Sequence, residues 1–309
     1  MLIEGNNMDA LFKGFQGAFN RGFQGAKATY PEIALITNST TSEEVYPWLG
    51  QFPSMRAWVG DRVVNGLVVH DFKIPNQSYE QTISVPRTKI EDDKYGIYAP
   101  FFEEMGKSAR DKPEELVYSL LSLGFEATCY DGQYFFDTDH PVIDETGLPQ
   151  SVSNMQSGSS TPWFLLDCSR AMRPLIWQER IPFNAIDRRD KPTDSNVFDT
   201  DNFVYGVRGR GSAGFGLWQL AFGSKAPLTA ANYEAARSAM QALRGDGNRP
   251  LGVKPTHLVV PPSLEGAAMR IINNGTRTET VDDGSGGTNA VAIQNEWANT
   301  AKLIVSPWL

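Results

Sequence analysis

The most restrictive feature of this sequence is a stripe of phenylalanines in a glycine-rich segment near the N-terminus. Phe12, Phe15, Phe19 and Phe23 follow one another at steps of three, four and four residues, so a helix would place them along one face. Within residues 9–28 the run Gly-Phe-Gln-Gly-Ala also occurs twice, eight residues apart. Each glycine costs a helix about 1 kcal/mol relative to alanine. Such a helix is poor on its own and needs a surface to dock on.

Two kinds of surface could receive this stripe. The glycine content favours an arm that docks on a neighbouring molecule, with Phe12, Phe15, Phe19 and Phe23 as interface residues. A terminal helix packed on the core of its own subunit fits the same periodicity, because amphipathic helices usually serve that purpose. A membrane-binding helix is disfavoured, since residues 9–28 carry only three basic side chains.

Composition limits the class of protein. Of the 309 residues, 41% are hydrophobic and 21% charged, which is typical of a folded chain with two subdomains or one large domain. No apolar run is long enough to span a bilayer and no secretory signal is visible, so the protein is predicted to be cytosolic when made. The net charge of −8 disfavours a surface built to grip DNA. Cys129 and Cys168 are too few for a disulfide framework and are predicted to be buried.

Residues 62–69 and 79–85 are rich in β-branched side chains and are separated by turn residues, among them Pro75-Asn76. This pattern predicts a long hairpin with its tip around Pro75, Asn76 and Gln77. Polar and apolar residues are mixed on both faces of the two segments. The hairpin is therefore expected to lie across another surface instead of covering its own core.

The remaining segments predict a mixture of helices and strands. A helical stretch over 97–121 is expected in two pieces, because Pro113 and its acidic neighbour resemble a helix start, and Gly124 closes it. Residues 131–162 are predicted to be loop-like. The further predicted strands are 163–166, 175–177, 203–205, 217–222, 257–260 and 302–305, the predicted helices are 232–243 and 263–272, the latter capped by Ser263, and a Gly-rich loop is expected at 282–288.

Candidate chemical motifs each have a simpler structural interpretation. Residues 209–214 match G-x-G-x-x-G, but a strand follows them where a dinucleotide site needs a helix, so glycines at a strand turn are favoured. The Asp137-Thr138-Asp139-His140 run could ligate a metal, yet a capped turn before proline is favoured. His257 could pair with Ser263, but no nucleophile elbow is present, and the acids 91–93 suit the start of a helix. No catalytic, cofactor or metal site is predicted.

With these residues in view, the chain resembles the major head (capsid) proteins of Mu-type phages and Mu-like prophages along nearly its whole length. The resemblance rests on many short segments in one order. They are Tyr46-Pro47-Trp48-Leu49-Gly50 with Phe52-Pro53, residues 90–100, Cys129-Tyr130-Asp131-Gly132-Gln133 with Phe135-Phe136-Asp137 and His140-Pro141, Leu165-Leu166-Asp167-Cys168-Ser169-Arg170 with Gln178-Glu179-Arg180, residues 214–219, and residues 252–257 with Val259-Val260-Pro261.

The resemblance implies an α+β, HK97-like capsid fold with four parts. The N-terminal arm would be residues 1–47, and the extended loop, which contains the hairpin, would be 48–90. The peripheral domain would be 91–224 with a spine helix over 96–124, and it would hold the strands of 163–222. The axial domain would be 225–309.

The implied function is assembly of an icosahedral shell around the double-stranded DNA of a tailed phage, and the implied location is the virion. The expected partners are other copies of the chain, scaffold and portal proteins, packaged DNA bound non-specifically, and a decoration or minor capsid protein. Lys73, Pro75, Asn76 and Gln77 join the phenylalanines as predicted interface residues. Lys73 is also the nearest loop candidate for the cross-links of some shells, but no pattern identifies a partner. An encapsulin-like compartment and a soluble enzyme remain alternatives.

Overall fold

The computed structural model describes residues 5–47, 49, 72–92, 95–282 and 288–309. The α-helices are α1 (Gly5–Gly25), α2 (Tyr30–Ile33), α3 (Arg87–Glu91), α4 (Ala99–Leu123), α5 (Ser195–Thr200), α6 (Ala230–Gln241) and α7 (Glu265–Ile272). The strands are β1 (Ala34–Asn38), β2 (Glu43–Val45), β3 (Lys73–Pro75), β4 (Gln77–Pro86), β5 (His140–Ile143), β6 (Pro149–Val152), β7 (Met155–Gln156), β8 (Trp163–Leu166), β9 (Leu175–Ile181), β10 (Ile186–Arg189), β11 (Asn202–Phe215), β12 (Ala221–Ser224), β13 (Arg244–Gly245), β14 (Arg249–Pro250), β15 (His257–Val260), β16 (Thr276–Asp282), β17 (Thr288–Gln294) and β18 (Lys302–Val305).

The first sheet lies under the two long helices α1 and α4. Its order is β1-β9-β11-β10, with β4 along the other side of β11. β1 runs parallel to β9, and the other pairings are antiparallel. Burial alternates along the first part of β11, where Phe203, Tyr205 and Val207 are buried. Tyr205 meets Phe102 of α4 with ring centroids 5.4 Å apart, so this face of β11 forms the core beneath the helices.

The second sheet has the order β18-β15-β8-β12-β7 and packs against α6 and α7. It joins β8 and β12, which were expected among the peripheral strands of 163–222, to β15 and β18 from the last third. The predicted boundary between residues 224 and 225 therefore cuts across this sheet. All four residues of β8 and all four of β12 are buried, so neither strand has a polar face that could indicate its sheet.

The spine helix is continuous, which corrects the prediction of two pieces. α4 runs from Ala99 to Leu123 with Pro113 inside it, and a 3-10 turn over Tyr95–Tyr98 precedes it. An interior proline removes a helical hydrogen bond and costs about 3 kcal/mol. The helix continues because it is anchored in the core on both sides of Pro113, through Met105 before it and Leu121 after it.

The predicted hairpin tip is also wrong. β4 contains the predicted strand 79–85, but it pairs with β11 from Gln77↔Gly211 to Pro86↔Asn202. β3 pairs with β2 instead, so Pro75 and Asn76 connect two strands that belong to different sheets. A turn sequence specifies a change of direction, and it does not specify which strands pair after it. The other predicted strand of the hairpin, 62–69, lies outside the described residues.

Other departures are local. β5, β6 and β7 form within the region predicted to be loop-like, and β16 and β17 flank the predicted Gly-rich loop, whose residues 283–287 lie outside the described residues. Ser263 lies in a 3-10 turn and caps no helix, because α7 begins at Glu265 without a side-chain cap. Among the described residues, no helix is both long enough and apolar enough for a bilayer crossing.

Candidate functional site: helix contacts and buried polar clusters

The phenylalanine stripe is used mainly inside the subunit. Phe15 stacks on Phe102 of α4 with centroids 4.1 Å apart and meets Tyr205 edge-on at 5.3 Å. Phe19 is fully buried. The prediction that Phe15 and Phe19 dock on a neighbouring molecule is therefore corrected, and the alternative of a terminal helix on its own core is the observed arrangement. The physical reason is that Phe102 of α4 and Tyr205 of β11 offer an apolar surface to the stripe.

The two ends of the stripe are half-buried, and arginines cover them. The Arg188 guanidinium lies 4.6 Å from the centre of the Phe12 ring, and that of Arg110 lies 5.4 Å from the centre of Phe23. Arg188 also pairs with Asp9, and its hydrogen bond and charge lower the pKa of that exposed carboxyl group. These contacts hold the ends of α1 to β10 and α4.

Two glycines let α1 and α4 approach backbone to backbone. A Cβ atom on Gly22 would lie 1.8 Å from the carbonyl oxygen of Glu103, and one on Gly106 would lie 2.0 Å from that of Phe19. Gly14 and Gly25, by contrast, have open space around them. The glycine content that makes α1 a poor isolated helix therefore has a packing reason at Gly22.

Glu114 is a buried carboxylate that ties the end of the arm to the spine helix. Its Oε2 accepts hydrogen bonds from the backbone N–H groups of Thr29 and Tyr30, both at 2.8 Å. Its Oε1 accepts from the Thr29 hydroxyl, which also lies 2.6 Å from the Tyr118 hydroxyl. Burial raises the pKa of Tyr118. Backbone and hydroxyl donors thus satisfy this carboxylate without a cation.

From the sequence alone, Glu114 is only part of a predicted helix start. A signal was present nonetheless, because Glu114 stands three and four residues before Val117 and Tyr118, on the apolar stripe of α4. An acidic residue on a buried stripe indicates a polar partner from another segment.

Glu32 of α2 connects the segment after α1 to the second sheet. Its Oε2 lies 2.5 Å from Lys302 Nζ and 3.4 Å from His257 Nε2, and the His257 Nδ1 is 2.9 Å from the Thr256 hydroxyl. His257 therefore pairs with Glu32 in these contacts and not with Ser263. Burial lowers the pKa of His257, and the nearby Glu32 carboxylate only partly offsets that effect.

His140 is part of a buried polar cluster, but its partners are not those in its own sequence motif. Its Nδ1 lies 2.7 Å from Asp131 Oδ2, and the Cys129 thiol donates to Asp131 Oδ1 at 3.1 Å. The imidazole stacks on Trp218 with centroids 3.9 Å apart. Asp137 instead accepts a hydrogen bond from the Thr138 backbone N–H.

In the part of the chain that the structure describes, Cys129, Asp131 and His140 are the group whose donor atoms lie close enough together, within 4.8 Å, to hold a metal ion. Burial raises the pKa of the Cys129 thiol. The thiol therefore keeps its proton and donates a hydrogen bond to Asp131. Burial also raises the pKa of Asp131, but hydrogen bonds from His140 and Cys129 more than offset it and leave that pKa below its ordinary value. The observed bonds assign the cluster a structural role, linking the turn after Cys129 to β5.

The residues that match G-x-G-x-x-G lie within β11. Their glycines leave room for side chains from neighbouring segments. A Cβ atom on Gly209 would lie 2.4 Å from the Phe183 ring, and one on Gly214 would lie 2.0 Å from Ile74. These glycines are structural, but they lie inside a strand and not at the predicted strand turn, because β11 continues to Phe215.

A cavity of about 280 Å³ opens between the β5–β6 hairpin and the C-terminal end of α6. Its lining is mainly apolar and includes Val142, Val152 and Leu243. The acid in the lining, Asp144, is exposed and accepts hydrogen bonds from Thr146 and Leu148, which lower its pKa. This carboxylate caps a turn, and it lacks the raised pKa of a general acid.

The predicted loop interface residues lie near the first sheet. Lys73 pairs with Glu43 at 3.1 Å, and Pro75 and Gln77 are exposed. Asn76 is half-buried and bonds within the subunit: its Nδ2 donates to the Ser39 hydroxyl at 2.7 Å, and its Oδ1 accepts from Gln178 at 2.8 Å. Asn76 is therefore occupied inside the subunit, which corrects its predicted place at an exposed tip.

The sequence over residues 8–309 matches the family described as Mu-like prophage major head subunit gpT. The chain belongs to this family. Among curated head subunits, that of the Mu-like prophage FluMu of Haemophilus influenzae is 43% identical and the alignment covers 97% of each chain. The major capsid protein of Escherichia phage Mu is 39% identical over 100% of both chains.

Solved structures of head proteins share the fold. The procapsid subunit of bacteriophage JBD30 superposes with a TM-score of 0.83 at 39% identity, covering 99% of this head subunit and 100% of that chain. The JBD30 capsid decorated with minor capsid protein trimers gives a TM-score of 0.74 at 30% identity, covering 92% and 91%. The predicted α+β, HK97-like capsid fold and the predicted resemblance to Mu-like head proteins are both confirmed. The protein is a major head subunit.

Proposed function

We propose that this head subunit assembles with other copies of itself into an icosahedral shell that encloses the double-stranded DNA of a tailed phage. The observation that carries the proposal is the near-complete superposition on a procapsid subunit, with a TM-score of 0.83 over 99% of the chain. This likeness covers both sheets and both long helices. It favours a phage head over the encapsulin-like compartment and the soluble enzyme that the sequence left open.

The proposed division into parts follows the two sheets. The first sheet with α1 and α4 would be the peripheral domain, and the arm of residues 1–47 would begin on it. The second sheet with α6 and α7 would be the axial domain, so that β7, β8 and β12 join residues 225–309. Residues 48–90 would supply the extended loop.

The proposed partners are other copies of the chain, scaffold and portal proteins, and packaged DNA. A net charge of −8 suits a container that touches DNA without trapping it. A minor capsid protein is a further proposed partner, because the related JBD30 capsid is decorated with trimers of one. The exposed Lys73, Pro75 and Gln77 and the half-buried Phe12 and Phe23 stay proposed interface residues. The mature location would be the virion, after assembly in the host cytoplasm.

A non-catalytic role is supported by the positions of the candidate chemical groups. The Asp131–His140 pair, the Glu32 cluster and Asp144 are each engaged in contacts that hold segments of the subunit together. A shell subunit acts through repeated surface contacts, in which one patch meets a different patch on the next copy.

Negative-stain electron microscopy of the purified chain, expressed with and without its neighbouring phage proteins, tests the proposal. Hollow shells or ring-shaped capsomers are expected in at least one of the two preparations. Small compact particles in both preparations would contradict it.

A further inference from the structure

In the ranges that the structure describes, the hairpin formed by β16 and β17 has no third strand. Its seven residue pairs run from Thr276↔Gln294 to Asp282↔Thr288 and form a two-stranded sheet of their own. Among the described residues, no other helix or strand makes extended contact with either strand. Within the described part of the chain, neither edge of the hairpin is therefore covered by another strand.

The base of this hairpin is nevertheless firmly held. Asn295 is buried, and its side-chain amide donates to the carbonyl groups of Ile271 and Asn274, both at 2.7 Å. Arg277 makes two parallel hydrogen bonds to the Glu296 carboxylate, at 3.0 and 2.8 Å. These contacts fix the direction of the hairpin relative to α7. A hairpin that is held at its base and has unpaired strand edges is positioned to contact another molecule.

The two edges differ in how well they resist pairing. Proteins protect open edges with charged residues, prolines or bulges. β16 carries Arg277, Glu279 and Asp282, whereas β17 has neither a charged residue nor a proline, and its register with β16 is unbroken. Three consecutive residues of β17, Ala290, Val291 and Ala292, are exposed. β17 is thus an unprotected edge on a hairpin that would be only marginally stable alone.

We propose that the open edge of β17 pairs with a second copy of this chain in the assembled head. The inference rests on the proposed function, because a shell surrounds each subunit with copies of itself at high local concentration. Contact between β17 and a different edge of the next copy repeats head to tail and closes into rings, whereas two β17 edges would stop at a dimer.

Hydrogen–deuterium exchange on the full chain tests this inference, with unassembled subunits compared with purified shells. Amides of residues 288–294 are expected to exchange at least about tenfold more slowly in shells. Equal exchange in both states would overturn the inference. If no shells form from the unaltered chain under any condition, the proposed function fails instead, so the two failures can be told apart.

A pair of variants at one position provides an independent check. Val291→Lys puts a charge on the unprotected strand and is expected to reduce shell yield at least about tenfold, because a third strand would cover that charge. Val291→Thr keeps a β-branched residue and is the matched control, with yield expected to match that of the unaltered chain. Both variants should unfold at the same temperature as the unaltered subunit. Shells of Val291→Lys at normal yield would refute the pairing.

Discussion

Gly22 and Gly106 set the distance between the arm helix and the spine helix. Both lie where the backbone of one helix touches that of the other, at Glu103 and Phe19. Helices that cross this closely gain dispersion contacts along the whole crossing. The cost of glycine in a helix is thereby offset at Gly22 but not at Gly14, which contacts nothing across the interface.

This difference predicts opposite effects of the same substitution at two positions. Gly22→Ala forces α1 away from α4 and is expected to destabilise the subunit by about 1–3 kcal/mol. Glycine loses more backbone freedom than alanine when a helix forms, and Gly14→Ala removes this cost without a clash. The substitution is expected to stabilise the subunit by about 0.5–1 kcal/mol. Urea unfolding of unassembled subunits followed by circular dichroism measures both. A stabilising Gly22→Ala would mean that the helices are not in backbone contact.

Glu114 is expected to be the most sensitive acidic residue of the spine helix. Glu114→Gln turns an amide N–H₂ towards the donors of Thr29 and Tyr30 and is expected to cost about 1.5–3 kcal/mol. The adjacent Glu115 forms an ion pair with Lys112 at 2.7 Å near the surface, so Glu115→Gln should change stability by less than about 0.5 kcal/mol. The same unfolding measurement compares the two. Equal effects would show that the Glu114 contacts do not hold the arm.

The arm helix behaves as part of the subunit core, which changes the expected result of removing it. An arm docked on a neighbour could be deleted to leave a folded monomer that assembles poorly. With Phe15 and Phe19 buried, deletion of residues 1–28 instead exposes Phe102 and Met105 of α4. The truncated chain is expected to bind a hydrophobic dye and to be cleaved quickly by protease. A protease-resistant truncated monomer with no dye binding would restore the docking-arm hypothesis.

The connection between β3 and β4 is likewise held inside the subunit, where the sequence predicted an exposed loop tip. Asn76→Ala removes hydrogen bonds to Ser39 and Gln178 and is expected to lower subunit stability by about 1–3 kcal/mol. Gln77→Ala, at an exposed neighbouring position, should change it by less than about 0.5 kcal/mol. Thermal unfolding of the subunit and shell yield are measured together. Loss of shells without loss of stability in Asn76→Ala would support the exposed loop tip that the sequence predicted.

The elements that could be predicted are those whose pattern is local. The periodicity of α1, α4 and α6 indicates helices, and the β-branched runs of β4 and β15 indicate strands. Pairing could not be predicted, because it depends on residues far apart in the chain, as with β4 and β11. Asp131 and His140 illustrate the same limit within the polar clusters. Nine residues separate them, and only the fold shows that they bond to each other rather than to Asp137 or Asp139.

The two sheets are joined through charge as well as through shared core residues. Glu32 of α2 bonds to Lys302 and lies against His257, and these two partners are on neighbouring strands of the second sheet. Lys302 and Arg173 also oppose a positive charge on His257. The neutral imidazole is therefore the form that the folded subunit favours.

Subunit stability should consequently fall on acidification. Burial holds the pKa of His257 below its ordinary value of 6.5, so the unfolded chain takes up a proton at higher pH than the folded one. The stability contributed by the neutral imidazole is present above pH 6.5 and is lost as the pH falls through the lower, folded pKa. His257→Gln should weaken this dependence. Unfolding midpoints of both proteins at about pH 7.5 and 5.5 measure it, and identical pH dependence would exclude His257 as a cause.

The parallel pairing of β1 with β9 has a consequence for the newly made chain. Residues 34–38 have no sheet to join until residues 175–179 have been synthesised, which at about 5–20 residues per second takes on the order of ten seconds. The second sheet receives Lys302–Val305 only after its other four strands have been synthesised. We therefore expect nascent chains to present no finished surface that a growing shell could capture. Chains that terminate before residues 302–305 lack this strand and are expected to stay out of the head.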